Sequence, residues 1–147
     1  MQIRVKRLPH AEGLALPAAA TGGAAGSDLR AAVGEAVVIE PGAFVAIPTG
    51  LCFELPPGTE AQVRPRSGLA RRHGVTVLNS PGTIDCDFRG EIQIVLINHG
   101  PDPVTIERGD RIAQLVLARL VDCEFEEVET LGETERGQGG WGSSGRQ

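Results

Sequence analysis

Residues 79–91, NSPGTIDCDFRGE, bring Asn79, Asp85, Asp87, Arg89 and Glu91 into one short stretch, with Ile84 and Phe88 set between the charges. A carboxylate has a reference pKa of about 3.9, so it is ionised at neutral pH and able to orient and deprotonate a water. A plain hairpin tip needs Gly with Asn or Asp and has no use for the rest of this load. The same residues also suit a charged loop that keeps a sheet edge soluble, and composition alone leaves both readings open. A second group of chemistry-bearing residues is Arg64-Pro65-Arg66-Ser67-Gly68. A guanidinium, a hydroxyl and backbone amides at a helix start suit an oligophosphate. A third is Arg136, which precedes a glycine run that lets backbone amides approach an anion.

The elements that must position these groups are short strands. Apolar β-branched runs at 75–78 and 92–97 flank the first stretch and read as two arms of a long hairpin or as neighbours in a sheet. Twenty glycines and ten prolines punctuate the chain often enough to favour strands over helices. Further strands are expected at 3–8, 37–40, 60–66 and 104–106, and as two pieces with a kink across 44–55. The loop after the first strand should run to residue 29. Residues 112–121 are almost continuously apolar, as in a strand buried on both faces, and 125–128 is a candidate for one more. The best short helix begins after Arg66, with Ser67 as its cap and Gly74 as its stop. The expected fold is all-β, a sandwich or jelly roll with one short helix.

Length and charge narrow the classes. A chain of 147 residues is long enough for one well-cored domain. The formal net charge of -5 argues against a broad nucleic-acid footprint, so a polyanion site has to be a local arginine cluster. No apolar run approaches the ~18 residues of a membrane span. Pro9, His10, Glu12 and Pro17 interrupt the N-terminal small-residue stretch too often for a signal peptide. Cys52, Cys86 and Cys123 lack metal or redox spacing, and reduced thiols in a cytoplasmic protein account for them. From Gly132 the chain has no aliphatic residue, which divides it into a folded unit, 1–131, and a flexible arm, 132–147. Trp141 is the exception within the arm, an expensive residue to leave in water.

Five patches recur in a meaningful order: 25–29 (AGSDL), 64–69 (RPRSGL), the 79–91 stretch, 109–115 (GDRIAQL) and 136–145 (RGQGGWGSSG). Together they resemble the five motifs of the trimeric dUTP diphosphatases, across nearly the whole chain. The resemblance implies a jelly-roll homotrimer that hydrolyses dUTP to dUMP and pyrophosphate with Mg²⁺. Each active site would be assembled from three subunits, and the arm would close over the nucleotide. Asp85 then matches the general base. Arg66, Ser67, Gly68, Gln114, Arg136, Ser143 and Ser144 match phosphate contacts. Asn79, Thr83, Ile84, Asp85, Phe88, Gln93 and Trp141 match the deoxyuridine site, with Gln93 as a backbone contact. No all-protein Mg²⁺ cage is expected, because the ion would ride on substrate phosphates and water, with Asp28 acting through water.

Phe88 stands where the family usually has a tyrosine against the deoxyribose, and Trp141 where it usually has a phenylalanine. A dCTP deaminase shares the fold and several phosphate-binding features, but the 84–91 run fits the hydrolase pattern better. A non-catalytic nucleotide-binding trimer would have lost Asp85 or Arg136, and both are present.

Overall fold

The computed structural model of the chain describes residues 1–140. Eleven strands and one short α-helix make up its regular structure, together with a 3-10 turn at Pro9–Ala11. The strands are β1 (Arg4–Arg7), β2 (Gly26–Arg30), β3 (Val37–Ile39), β4 (Phe44–Pro48), β5 (Leu51–Glu54), β6 (Thr59–Pro65), β7 (Val75–Val77), β8 (Gly82–Ile84), β9 (Gln93–Asn98), β10 (Val104–Ile106) and β11 (Arg111–Arg119). The helix α1 spans Ser67–His73. Mostly-β architecture with one short helix is what the glycine and proline punctuation predicts.

All strand pairs are antiparallel. They form a four-stranded sheet in the order β2-β11-β6-β8, a three-stranded sheet β4-β9-β7, and the pairs β1-β5 and β3-β10. Among the described residues these four sheets do not join into one closed hydrogen-bonded barrel. One core fills the space between them. Leu29, Ile39, Ile47, Ile92, Ile94, Leu96, Ile106 and Ile112 are its largest fully buried apolar members. Strand β9 shows the two-residue period that builds it: Ile94, Leu96 and Asn98 point inward, and the residues between them do not. Asn98 is tolerated there because its amide donates to the Ile39 and Asp102 carbonyls at 2.9 and 2.8 Å and accepts from Gly100 N–H at 2.8 Å.

A register shift between Arg111 and Ala113 sets the phase of β11 against β2. It lets Ile112 and Ala113 both be buried, after which alternate residues face opposite ways. Gln114 therefore shares a face with Asp28, its register partner on β2, while Leu29 and Leu115 point into the core.

The structure corrects four expectations and decides a fifth. Residues 26–30 are a strand rather than the end of a loop, because β11 offers them a partner that local sequence does not reveal. Of the two readings for runs 75–78 and 92–97 the second holds: β7 and β9 are sheet neighbours, and the tip between them adds β8 to a different sheet, beside β6. Ser67 is not the helix cap. It is the first helical residue; Arg66 holds the cap position with no side-chain bond, and Gly74 ends the helix with φ 69° as expected. Strand β11 is not buried on both faces throughout, because β2 stops opposite Val116 and leaves Leu117 half-exposed. Residues 125–128 form no strand, and Phe125 is 94% exposed, since nothing among the described residues pairs with them.

Candidate active site

Three elements bring one set of polar residues together on the open face of the four-stranded sheet. Asp28 comes from β2, Gln114 from β11 and Arg66 from the residue before α1. Arg66 Nε donates to Asp28 Oδ1 at 3.0 Å, and Gln114 Nε2 approaches the same oxygen at 3.4 Å. Arg111 Nη1 donates to Asp28 Oδ2 at 3.1 Å. Arg66 Nη1 also donates to the Arg111 carbonyl at 3.2 Å, tying the start of the helix to the start of β11. The Asp28 side chain is only 13% exposed. Burial alone would push its carboxyl up, but the Arg66 charge and the bonds from Gln114, Arg111 and Arg66 outweigh it, and the pKa lies below the ordinary value. The result is a fixed carboxylate with two guanidinium groups held around it. Ser67 and Gly68 follow Arg66 as the first two residues of α1, with Ser67 exposed.

The second group sits on the hairpin. Strand β8 lies at the edge of its sheet, paired to β6 through Gly82↔Val63, Thr83↔Gln62 and Ile84↔Ala61. Its outer edge presents backbone groups that β6 does not use. The Asn79 amide lies against Gly82, where an added Cβ would be 3.2 Å from Nδ2. Asp85 follows β8 and is exposed. Phe88 N–H donates to the Asp85 carbonyl at 3.2 Å, and Arg89 Nη1 donates to the carbonyls of Cys86 and Phe88 at 2.7 and 2.9 Å. These bonds close 85–89 into one turn. The Phe88 ring packs on Gly90 so closely that a Cβ there would sit 2.5 Å from Cζ, so any larger residue would have to displace the ring. Gln93 opens β9 opposite Pro48 and is exposed.

These two groups do not meet within one chain. Ile84 faces Ala61 near the start of β6, whereas Arg66 follows its end at Pro65. Five residues of extended strand separate those levels, roughly 16 Å along β6. Arg136 joins neither group: its Nε donates to the Gly139 carbonyl at 2.8 Å, within an exposed segment. Trp141, Ser143 and Ser144 lie outside the described residues. Arg111 is the site residue that sequence reasoning passed over. It stood inside the 109–115 patch, three residues before Gln114, but only the register shows that it shares Asp28. Among the described residues no three His, Cys, Asp or Glu side chains gather as a metal site. Asp28 is the carboxylate bonded into the arginine cluster.

A family model described as dUTPase matches residues 13–145. The deoxyuridine 5'-triphosphate nucleotidohydrolase of Beijerinckia indica subsp. indica is 63% identical over 146 residues, covering 98% of this chain and 91% of that protein. The chain belongs to the dUTPase family. Among solved structures, the Staphylococcus bacteriophage 80alpha dUTPase with dUpNHpp is 26% identical with a TM-score of 0.86, and the match covers 98% of both chains. The dUTPase of phage phi11 of S. aureus, 23% identical with a TM-score of 0.77 over 88% of this chain, shares the fold. The five ordered patches thus belong to a dUTPase-family chain, and its arginine cluster and its hairpin are separate surfaces of that chain.

Proposed function

We propose that this chain hydrolyses dUTP to dUMP and pyrophosphate at sites shared between the copies of a jelly-roll homotrimer. The observation that carries this reading is the separation just described. An arginine cluster suited to phosphates and an exposed carboxylate on a hairpin suited to a base do not meet on one protomer. A second copy that brings its hairpin to the cluster would complete the site, and the arm, 132–147, would close it. The exposed Leu117, Leu120, Phe125 and Val128 support such an assembly, since they are unfavourable in an isolated chain.

In the completed site Asp85 orients a water and takes its proton as the water oxygen attacks the α-phosphorus. The bond from that phosphorus to the bridging oxygen breaks, and pyrophosphate leaves. Arg66, Ser67, Gly68 and Gln114 take up the developing charge, with Arg111 and Asp28 holding Arg66 in place. Arg136, Ser143 and Ser144 come in with the arm. Mg²⁺, carried by the triphosphate and water with Asp28 reaching it through water, would supply further neutralisation of the phosphates. The outer edge of β8 at Thr83 and Ile84, with Asn79 and the backbone of Gln93, reads uracil and excludes a 5-methyl group. Phe88 packs on the deoxyribose, and Trp141 covers the base.

Consumption of dUTP keeps uracil out of DNA, and the dUMP formed supplies thymidylate synthesis. Three free cysteines suit a cytoplasmic setting; among the described residues no helix is long and apolar enough to cross a membrane. The test is pyrophosphate release from dUTP, dCTP, dTTP and UTP in the presence of Mg²⁺. Release confined to dUTP is expected. Ammonia from dCTP, or no release from any of the four, would overturn the reading.

A further inference from the structure

The hairpin that carries Asp85 has two stems, and only one of them is held by regular strand pairing where it enters the turn. The outgoing stem is β8, paired to β6. The return stem passes through Gly90 and Glu91 before β9 begins at Gln93. Its fastening is the Glu91 side chain, which is 19% exposed. Glu91 Oε1 accepts from Gly50 N–H at 2.7 Å and lies 2.8 Å from His10 Nε2. A carboxylate only accepts, so Nε2 carries the proton in that contact.

Both partners of Glu91 are themselves fixed. Gly50 sits in the kink between β4 and β5 at φ +65°, and a Cβ there would lie 2.2 Å from the Ala11 Cβ, so the position requires glycine. Its carbonyl accepts from Leu8 N–H at 2.8 Å. His10 belongs to the 3-10 turn Pro9–Ala11, and its carbonyl accepts from Arg108 Nη1 at 2.6 Å. Arg108 Nη2 donates to the Glu12 carbonyl at 2.9 Å, and Arg7 Nη1 to the Ala11 carbonyl at 2.7 Å. Next to Glu91, Ile92 N–H donates to the Leu51 carbonyl at 2.9 Å, and Thr49 Oγ1 to the Ile92 carbonyl at 2.7 Å. The N-terminal turn is thus a brace pinned to the β4–β5 kink and to the loop before β11, and Glu91 connects the hairpin to it.

We infer that Glu91 is a positioning residue for the reaction: it fastens the return stem of the hairpin to Gly50 and His10 and so fixes the direction in which Asp85 presents its carboxylate. Residues 85–89 form one closed turn, so a swing of the return stem moves Asp85 with it. Misplacement of a reacting group by about 1 Å can cost on the order of 10²-fold in rate. Glu91 touches neither the base nor the phosphates in this reading. Its loss should therefore lower turnover and leave substrate binding nearly unchanged. The inference deepens the proposed dUTP hydrolysis and rests on it.

The test is steady-state dUTP hydrolysis by the full chain and by Glu91→Ala, Glu91→Asp and Glu91→Gln. Intact sites are counted by titration with dUpNHpp, and thermal midpoints are recorded in parallel. Glu91→Ala is expected to lower kcat per intact site by on the order of 10- to 100-fold with little change in KM. Glu91→Asp, one methylene too short to span the gap, should behave like it. Glu91→Gln keeps an Oε1 acceptor for Gly50 and His10 and should recover most of the turnover. A Glu91→Ala enzyme with a lower thermal midpoint but full kcat per intact site would reduce Glu91 to a structural role and overturn the inference. If Glu91→Ala does not fold, the Asp and Gln variants decide: equal kcat per intact site in those two overturns it as well. A native chain inactive on dUTP would instead defeat the parent reading, so the two failures are distinct.

Discussion

The Asp28 cluster and the Asp85 hairpin each hold a carboxylate, yet they treat it in opposite ways. Asp28 is nearly covered, and both its oxygens are claimed by arginines. Asp85 is exposed at the end of an edge strand, with its backbone held and its side chain facing solvent. The first carboxylate is a framework charge that keeps two guanidinium groups in a fixed array. The second is free to act on something that arrives from outside. The difference teaches that one chain holds a fixed charge cluster and an exposed carboxylate on separate surfaces; in the proposed reaction the first neutralises charge, the second does the chemistry, and the arm would be a third part. Each prediction below either breaks this division or sharpens it.

The largest effect should come from the arm, because it adds charge only when the site closes. Arg136→Ala is expected to lower kcat by about 10³–10⁵, the range of arginine fingers in phosphoryl transfer. The thermal midpoint should not move, since among the described residues the Arg136 side chain bonds only Gly139, within the arm. A large loss of stability instead would mean that the arm belongs to the folded unit.

Next is the hairpin carboxylate. Asp85→Asn should cost about 10²–10⁴ in kcat, the usual contribution of a general base. Arg66→Ala should also be strongly impaired. If the two residues serve the same site from different copies, mixing these two inactive variants under conditions that exchange subunits restores activity. Each Arg66→Ala protomer still carries a sound hairpin, and each Asp85→Asn protomer a sound cluster. Failure of the mixture to regain turnover, with exchange demonstrated, would place both residues in one protomer's site and dissolve the comparison.

The framework carboxylate should show its role in stability as well as rate. Asp28→Asn leaves Arg66 and Arg111 without their counter-charge and is expected to cost on the order of 1–3 kcal/mol at neutral pH. The pH dependence has a definite sign. The folded pKa of Asp28 is depressed below its reference value of 3.8, so its stabilisation is fully present above that value. It fades as pH falls through the lower folded pKa. Thermal midpoints of the native chain and Asp28→Asn, at one fixed protein concentration, should therefore differ most near neutrality and converge in strong acid. A constant gap down to strong acid would show that the cost is packing rather than charge.

The same contrast explains what the sequence discloses. The hairpin patch was legible because Ile84, Asp85, Phe88, Gly90 and Glu91 are consecutive in chemistry, and local order maps directly onto one turn. The edge strand β8 and the sheet position of 26–30 were not, because pairing partners lie 20 residues and more than 80 residues away and impose no local period. Arg111 is the clearest case. Its identity was visible, but its function depends on facing Asp28 across a bulge, and a bulge leaves no mark in composition. Ser67 failed for a related reason: a serine before a helical run fits a cap equally well one residue earlier. Asp28, Arg66 and Gln114 were each singled out from the sequence, while the contacts among them came only from the register.

The smallest effect tests the departure at Phe88. The ring rests against Gly90, so it is placed by contact with the backbone beneath it. Phe88→Tyr keeps that contact and adds one hydroxyl. A single net hydrogen bond contributes about 0.5–1.5 kcal/mol, so discrimination between dUTP and UTP should improve by no more than about tenfold. Phe88→Ala removes the wall itself and should let UTP in. If the tyrosine variant gains far more than tenfold, the hydroxyl organises the turn as well as the sugar contact. Unchanged discrimination in both variants would mean that the sugar is read elsewhere, and the hairpin's part in the comparison would shrink to the base and to Asp85.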